Sequence, residues 1–415
     1  MPRRAMKIAF VNNKYQLGGA ETVVQQLYSG CRSAGHDCRL YVAEGKTYPE
    51  FVTPFYPKAL SYLSHTRLAG TVERLFPRNR WTDRRFQALA SSDADLIHVH
   101  NFHGLYARIE SLAELSHRKP VVWTFHRFWG ITGGCDHPKH CERYQQTCGD
   151  CPLLGEWPLG KEDTTAEQLA LKLKHFRGAP MHIVAPSQHL QRRVTESRVG
   201  ALWPVTYIPN GVDPGQFGYK RKRDPQFRRS LNVDETAITV LITNRDFRDP
   251  IKGFQYIAEA LEAIDPAGLE LLLVGNNSAW ALQKLVRFRC RDFGYVRDRR
   301  RMAELYEVAD IYLYASQAEN FPCAILEAMS SRCCIVSTPT DGVLEQVEDG
   351  ISGHFSERID GASLGSCLAR VIARFSPENP WGRSARERVE AHFSEADMIA
   401  RHLRLYGELV GGGSG

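Results

Sequence analysis

Long hydrophobic runs are absent from this chain of 415 residues. No segment approaches the roughly 20 consecutive apolar residues that a membrane-spanning helix needs, so we expect no transmembrane span. The basic N-terminus, residues 1–6, leads directly into a predicted strand without the apolar core of a signal peptide, and export is therefore not expected. These two absences predict a cytoplasmic protein.

A large excess of one charge is also absent. Lysine and arginine number 53 and aspartate and glutamate 47, which leaves a net charge of +6. Hydrophobic residues make up 43% and charged residues 24%, the balance of a globular protein that buries a core. The length suggests two domains rather than one. The closing residues 411–415 resemble an artificial linker and carry no argument.

Strand-like apolar runs alternate with helical segments, which is the pattern of βα units around parallel sheets. The first series of predicted strands is Lys7–Val11, Cys38–Val42, Asp95–Val99, Pro120–Phe125 and His182–Ala185. The second series is Ile238–Thr243, Leu269–Val274, Asp310–Tyr314 and Cys333–Ser337. Prolines and an Asn-Gly pair in residues 208–214 mark the joint between the two series. The expected fold class is α/β, with one doubly wound domain over residues 1–208 and another over residues 209–393.

Two glutamates eight positions apart carry most of the functional information. Glu319 lies just before a predicted helix and Glu327 lies within it. Asn320 is suited to cap that helix, and Pro322 is suited to its first turn. The free amides and the positive dipole end of such a helix bind phosphate oxygens. A phosphate site between two carboxylates suggests a nucleotide-sugar ligand, whose hydroxyl groups the glutamates would bind.

Three further candidates follow predicted strands. Gly18 and Gly19 precede a helix and would let the backbone approach a ligand closely, although the dinucleotide fingerprint G-x-G-x-x-G is absent. His126 ends a strand, where its imidazole could hydrogen-bond a sugar hydroxyl. Lys252 is expected to begin a helix in the second domain and to reach a diphosphate, whose developing charge it would offset.

A cysteine-rich insertion is predicted over residues 133–152. Its four cysteines are Cys135, Cys141, Cys148 and Cys151. Their spacing, which ends in C-x2-C, suits one structural Zn²⁺ ion in tetrahedral coordination. A metal is favoured over disulfides in a cytoplasmic protein, while two disulfides, free thiols, or a site in which His137 or His140 replaces one thiol are alternatives. Four thiolates leave no open position, so a catalytic metal is not expected.

Three motifs occur in one order along the chain: Gly-Gly-Ala-Glu at 18–21, Thr-x-His at 124–126, and E-x7-E at 319–327. Together they resemble retaining glycosyltransferases of family 4, which have the GT-B fold of two Rossmann-like domains facing an interdomain cleft. The resemblance extends from Lys7 to about Leu409 and implies that a last helix, 394–410, crosses back to the first domain. The cysteine-rich segment resembles a subgroup that builds bacterial surface polysaccharides.

The resemblance implies a site for each substrate. An acceptor site in the N-terminal domain would use His100, Asn101, His126 and Trp129. A nucleoside-diphosphate sugar would be bound by Gly18, Gly19, Arg245, Arg248, Lys252, Tyr295, Val296, Glu319, Asn320, Phe321, Pro322, Cys323 and Glu327. Catalysis would depend on His126, Lys252 and Glu319 without a divalent metal, and retention of configuration is implied by the family alone.

The sequence departs from the family pattern at two places. The family's paired arginine and lysine usually stand five positions apart, whereas Arg245 is seven positions and Arg248 four positions from Lys252. Either arginine could therefore bind phosphate. Arg127 stands where many relatives carry aspartate, so the role of that neighbour is not transferred to this chain.

Two alternative functions and one further partner are considered. A GT-B nucleotide-sugar epimerase would need no acceptor, and a zinc-containing nucleic-acid-binding protein would use the cysteine cluster and the basic runs. One of these runs, residues 220–223, is expected to lie in a solvated surface loop. We favour a glycan or lipid-linked acceptor and expect no nucleic-acid partner. An anionic membrane surface is suggested by residues 48–89, which mix cations with aromatic residues that could lie at the headgroup level or in the core. The aromatic residues are Tyr48, Phe51, Phe55, Tyr56, Tyr62, Phe76, Trp81 and Phe86.

Overall fold

The computed structural model describes residues 4–15, 18–44, 48–56, 78–103 and 107–412. Over these residues the chain forms one sheet of seven strands and one of six, and neighbouring strands run parallel in both. Helices alternate with the strands along the chain. The predicted α/β class with two doubly wound units is confirmed.

The first sheet has the strand order β3-β2-β1-β4-β5-β6-β7. Its strands are β1 (Lys7–Lys14), β2 (Asp37–Glu44), β3 (Val52–Pro54), β4 (Leu96–His100), β5 (Val121–Thr124), β6 (Met181–Ala185) and β7 (Val205–Tyr207). The accompanying helices are α1 (Gly19–Ser33), α2 (Arg78–Ala90), α3 (Ile109–Ser116), α4 (Thr165–Phe176) and α5 (Gln188–Thr195). Short 3-10 turns cover Phe128–Ile131, Arg143–Gln145 and Gly200–Leu202.

The second sheet has the order β10-β9-β8-β11-β12-β13. Its strands are β8 (Ile238–Asp246), β9 (Leu269–Asn276), β10 (Arg289–Asp292), β11 (Ile311–Tyr314), β12 (Cys334–Ser337) and β13 (Gly353–Phe355). The helices that follow β7 are α6 (Pro225–Ser230), α7 (Phe254–Glu262), α8 (Ser278–Leu282), α9 (Arg299–Val308), α10 (Cys323–Ser330), α11 (Asp341–Gln346), α12 (Gly361–Ala373), α13 (Pro380–His392) and α14 (Glu395–Gly411). A 3-10 turn covers Pro250–Lys252.

The chain divides into two compact units. The first unit comprises Met1–Pro209 and Met398–Gly415, and the second comprises Asn210–Asp397. The division after Pro209 falls within the turn-rich segment that the sequence marks as a joint. Helix α14 begins in the second unit, and its residues from Met398 belong to the first. Within the first unit it packs against α1, where a Cβ atom on Gly30 would lie only 2.2 Å from Ile399 Cδ1.

The strands form where apolar residues are continuous, because a parallel sheet is buried on both faces. All five residues of β4 are buried, including two histidines. One hydrophobic core serves the first sheet, and two serve the second. All nine predicted strands are present, with ends that differ by up to three residues. The four strands that the sequence did not reveal, β3, β7, β10 and β13, are short strands of three or four residues.

The basic run 220–223, interpreted from sequence as a solvated loop, is largely engaged within the second unit. Lys222 is 8% exposed and donates to the carbonyl of Ala309. Arg221 binds the carboxylate of Glu307 at 2.7 Å, and Arg223 that of Asp310 at 2.9 Å. Three of the four side chains thus have a carboxylate or carbonyl partner, whereas Lys220 is exposed.

The described aromatic residues of the segment 48–89 differ in burial. Phe55, Tyr56 and Phe86 belong to the hydrophobic core of the first unit, whereas Phe51 is 45% exposed. Trp81 is partly buried under the guanidinium of Arg84. Tyr62, Phe76 and the cations among residues 57–77 lie outside the described residues. No described helix is long and apolar enough to cross a membrane.

Candidate active site

The E-x7-E segment connects β11 to α10 in the second unit. Strand β11 ends at Tyr314, and the helix begins at Cys323 with Pro322 as its N-cap residue. The prediction that Asn320 caps the helix and that Pro322 lies in its first turn is therefore wrong by one to two positions. Asn320 is instead a buried residue of the loop before the helix, at 4% exposure. Glu319 thus precedes the helix, and Glu327 lies about one turn inside it.

Glu319 is bound by two partners from other elements. Its Oε1 lies 2.5 Å from the ammonium of Lys252 and 2.6 Å from the hydroxyl of Tyr314. The Glu319 side chain is only 12% exposed, which strengthens the ion pair relative to one in open solvent. Lys252 ends a 3-10 turn rather than beginning a helix as predicted, because Gly253 has a left-handed conformation before α7. A cation and a carboxylate are thereby held together at the carboxyl end of β11.

Glu327 points toward a second cation, which the sequence did not reveal. Arg299, the first residue of α9, places its Nη1 3.7 Å from Glu327 Oε1. Burial raises the pKa of Glu327, while Arg299 and a hydrogen bond with Tyr306 oppose the shift. The only sequence signal for this contact is that Arg299 begins a helix soon after the candidate Tyr295–Val296 loop.

Two glycines permit the close packing of these loops. A Cβ atom on Gly253, which has a φ of +66°, would lie 1.5 Å from the carbonyl oxygen of Ala315. A Cβ atom on Gly342 would lie 1.6 Å from the carbonyl oxygen of Asn320. Glycine is therefore required at both positions. Gly342 was missed by sequence reasoning, although the Asp341-Gly342 pair after β12 is a turn signal.

The remaining residues that were predicted to bind the nucleotide sugar differ in exposure. Phe321 belongs to the hydrophobic core at 3% exposure, and Cys323 is buried at 8%. Tyr295 and Val296 are half-buried after the turn at Gly294, whose carbonyl accepts from the Gly275 amide at 2.8 Å. Arg245 at the end of β8 and Arg248 just beyond it are both exposed. The structure brings Lys252 and Glu319 into contact, places Glu327 within α10, and leaves the two guanidinium groups at the surface.

In the first unit, the Gly-Gly-Ala-Glu stretch begins α1. Gly18 is the N-cap residue, Gly19 is the first helical residue, and Glu21 lies in the first turn. Glu21 Oε1 accepts a hydrogen bond of 3.2 Å from the Asn101 side chain. Asn101 follows β4 directly and has a positive φ of 41°, which asparagine tolerates better than most residues. The predicted Gly18, Gly19 and Asn101 are thus brought together at the carboxyl ends of β1 and β4.

Four histidines cluster at these same strand ends. His98 and His100 on β4 have ring centroids 4.0 Å apart, and His100 Nδ1 lies 3.0 Å from His126 Nε2. His98 also bonds the Tyr406 hydroxyl of α14 at 2.6 Å and the Thr124 hydroxyl at 2.8 Å. His402 of α14 lies beside His98, with a centroid distance of 5.5 Å. Burial is the main cause that lowers the pKa of every one of these imidazoles, to about 3 for His126 and about 4 for His402.

Trp129, which was predicted to bind the acceptor, contacts a buried lysine near the cysteine-rich insertion. Its backbone carbonyl accepts a hydrogen bond of 2.5 Å from Lys172, and its ring lies 3.6 Å from the same ammonium. Lys172, on α4, is 1% exposed and also donates to the Thr132 carbonyl at 2.8 Å. Burial lowers its pKa to about 7. Within the described part of the chain its ammonium forms no ion pair with a carboxylate.

The four cysteines of the insertion line one pocket, as their predicted common site requires. All four are free thiols, and burial raises the pKa of Cys135 to about 12. Among the described residues, no three Cys, His, Asp or Glu side chains meet the geometry of a metal site. The chemistry of the donor set nevertheless fits Zn²⁺, because four thiolates around the ion carry a net charge of about −2. That negative charge would offset the positive charge of the Lys172 ammonium, on which Cys135 and Cys148 act.

Comparison with known proteins identifies the class. Residues 17–216 match the family model "Glycosyltransferase Family 4", and residues 237–374 match "Glycosyl transferases group 1". The first matched segment lies in the first structural unit except for residues 210–216, the second lies in the second unit, and together they account for most of the chain. The chain is therefore a glycosyltransferase with the GT-B fold.

Individual relatives are distant in sequence but extend over much of the chain. The chain is 23% identical to an Escherichia coli (strain K12) protein described as the colanic acid biosynthesis glycosyl transferase WcaC, over 97% of this chain and 100% of that protein. It is 27% identical to a lipopolysaccharide 1,2-N-acetylglucosaminetransferase of Salmonella typhimurium, over 46% of this chain and 53% of that protein. The chain thus spans only about half of the second relative.

Solved structures confirm the fold. Alr3699/HepE of Anabaena, crystallised in complex with UDP and glucose, superimposes with a TM-score of 0.70. The two chains are 18% identical, and the alignment covers 96% of this chain and 99% of the Anabaena chain. At this identity the comparison supports the GT-B architecture alone.

We predict that acid destabilises the first unit through its buried histidines. Their folded pKa values lie below the ordinary value of about 6.5, so between pH 7.5 and 5.5 the unfolded state binds more protons and stability falls as the pH is lowered. One such histidine contributes about 1 kcal/mol to this loss. In urea unfolding at both pH values, the His402→Gln variant should lose about that much less than the unsubstituted protein.

The exposed His392 provides the matched control. His392→Gln should show the same pH dependence as the unsubstituted protein. If His402→Gln and His392→Gln lost stability equally, the buried cluster would not be the source of the acid sensitivity.

Proposed function

We propose that the protein transfers a sugar from a nucleoside-diphosphate sugar to a hydroxyl group of a glycan or lipid-linked acceptor in bacterial surface polysaccharide synthesis. The similarity to proteins of colanic acid and lipopolysaccharide synthesis supports the pathway class. The complex of the Anabaena protein with UDP supports a nucleotide-sugar donor. The observation that carries the proposal is the partly buried ion pair of Lys252 with Glu319 next to the start of α10.

The donor site follows from this pairing. The amides at the start of α10 provide donors for diphosphate oxygens, and the helix dipole favours their charge. Lys252 would exchange part of its contact with Glu319 for the diphosphate and would stabilise the charge that develops on the leaving nucleotide. Glu319 would then bind the sugar hydroxyls. Glu327 would bind the ribose, with Arg299 holding its carboxylate in place.

Retention of configuration and the acceptor side belong to the same proposal. No nucleophilic carboxylate is identified in the sequence, so we favour same-face transfer in which a donor phosphate oxygen removes the acceptor proton. The cations that stabilise the leaving group are Lys252 and one of Arg245 and Arg248, without a divalent metal. His126 and Asn101 would hydrogen-bond sugar hydroxyls on the first unit.

The two alternatives are wrong. The chain is a glycosyltransferase, which excludes both an epimerase and a nucleic-acid-binding protein as its primary function.

The first test removes the donor-site side chains. Lys252→Ala, Glu319→Ala and Glu327→Ala should each lower sugar transfer by about 10²-fold, the scale for losing a group that stabilises or orients the transition state. A thermal-shift screen of nucleotide sugars identifies the donor for the assay, because a ligand that binds only the folded state raises the melting temperature. Arg245→Ala and Arg248→Ala, measured in the same assay, should identify the phosphate-binding arginine by the larger loss.

Glu348 offers a matched control for these variants. It forms an ion pair of 2.7 Å with Arg388 in the same unit, at a half-exposed position outside the candidate site. Glu348→Ala should therefore transfer sugar at a nearly unchanged rate. Near-normal turnover by all three donor-site variants would show that the donor site lies elsewhere.

We also propose that the cysteine-rich insertion binds one structural Zn²⁺ through Cys135, Cys141, Cys148 and Cys151. Their common pocket and the buried Lys172 support this assignment. Elemental analysis should find about one zinc per chain, and Cys148→Ser should lose both the metal and thermal stability. Cys290→Ser, at a half-buried thiol outside the insertion, should keep the metal. A metal-free protein whose four insertion thiols react freely, with unchanged stability, would disprove the site.

Association with an anionic membrane surface, as a peripheral protein of the inner face, stays a prediction. Arg80 and Arg84 are exposed on α2, and Arg85 is half-buried there. In vesicle flotation, the protein should bind anionic vesicles at low salt and leave them at high salt, because each cation near such a surface adds about 1 kcal/mol. Charge reversal at these three arginines should abolish binding. Equal recovery with neutral and anionic vesicles would favour an acceptor that is not membrane-bound.

A further inference from the structure

His100 was expected to contact the acceptor, but its position favours a different role. The side chain has 0% exposure, whereas His126 on the neighbouring strand end is half-buried. The two rings stack with a centroid distance of 5.3 Å and an interplanar angle of 24°. His100 Nδ1 lies 3.0 Å from His126 Nε2, which is the distance of a direct hydrogen bond. His100 can therefore act on a ligand through His126.

The buried surroundings decide which nitrogen donates in this bond. Both imidazoles are neutral near pH 7, because burial lowers the pKa of each. One ring must then donate an N–H to a lone pair of the other. His100 Nε2 is buried and has no hydrogen-bond partner among the described residues. If the His100 proton were on Nε2, that buried N–H would be unpaired, and unpaired buried N–H groups are rarer than unpaired acceptors.

We propose that His100 is a positioning residue whose Nδ1–H donates to His126 Nε2 and holds His126 in the tautomer that carries its proton on Nδ1. His126 then offers an N–H donor to its ligand, instead of a lone pair. A donor of this kind binds the oxygen of a sugar hydroxyl. The sugar as ligand rests on the proposed function, whereas the tautomer itself does not depend on it.

The same strand explains why the bond is rigid. His98 lies two residues before His100 on the same face of β4, and its ring centroid is 4.0 Å from that of His100. His98 is in turn fixed by the hydroxyls of Thr124 and Tyr406. The His100 ring is thus packed against a side chain that has no freedom of its own. His126 receives a defined orientation without occupying the interior itself.

The direct test is the tautomer of His126 in the full chain without substrate. Long-range ¹H–¹⁵N correlation on protein labelled at histidine separates protonated from unprotonated ring nitrogens, and the His126→Gln variant assigns the signals. We expect His126 to be protonated at Nδ1 in the unsubstituted protein and to populate both tautomers in His100→Leu. A His126 ring protonated at Nε2, or one that His100→Leu leaves unchanged, would overturn the proposal.

The kinetic test uses a conservative rescue. His100→Leu should lower kcat by about 10²-fold, the scale for a misplaced group, with little change in the KM of either substrate. His100→Asn should recover at least a tenth of the normal kcat, because its side-chain amide can donate from the position of Nδ1. His182→Asn, at a half-buried histidine on β6 that bonds Thr206 at 2.7 Å, is the matched control and should be unaffected.

The outcomes separate this proposal from the proposed function. If donor-site variants abolish transfer while His100→Leu retains normal kcat, the positioning role is wrong and the function stands. If the tautomer responds to His100→Leu but the donor-site variants transfer sugar normally, the positioning stands and the donor site is wrong. If His100→Leu fails to fold, the proposal is still tested by the tautomer of His126 in the unsubstituted protein and by the kcat of the His100→Asn variant.

Discussion

The parallel direction of the strands is the constraint on which the candidate site depends. In a parallel sheet all carboxyl ends lie along one edge, and loops at that edge converge although they are distant in sequence. Gly18 follows β1, Asn101 follows β4 and His126 follows β5 in the first unit. In the second unit, Lys252 follows β8 and Glu319 follows β11. Each unit thus collects polar side chains where the carboxyl ends of its strands meet.

Burial of charge then sets the chemistry at that edge. Lys252 and Glu319 neutralise each other at a partly buried position, which avoids the large cost of leaving either charge unpaired. In the proposed function, a diphosphate would replace the carboxylate as partner of Lys252. Lys172 presents the opposite case, because its described neighbours are carbonyl groups and a ring. Against the effect of burial, Cys135, Cys148 and Asp136 raise the pKa of Lys172, which supports the proposal of negative charge in the insertion.

Much of the fold was accessible from the sequence because parallel strands are continuous apolar runs, and all nine strands of this kind were predicted. The short edge strands were not, since Arg289–Asp292 has no apolar pattern and Val52–Pro54 contains proline. Motif residues such as Glu319 and Lys252 were predicted because the spacing of a motif can be recognised in the sequence alone. Arg299, Tyr314 and Gly342 were missed because their roles arise from contacts across elements. The burial of Lys222 was missed for the same reason, because it depends on contacts with other elements and not on the charge pattern of the sequence.

The two histidines of β4 have different roles, one in stability and one in function, although they lie on the same face of the strand. A period of two places His98 and His100 on one face of the strand, and α14 contributes Tyr406 and His402 beside His98. His98 therefore anchors the returning helix, while His100 orients His126. A substitution on α14 that disturbs Tyr406 would loosen His98, then the ring packed upon it, and finally the hydrogen bond to His126. The last helix can thus influence the candidate site of the first unit through packing.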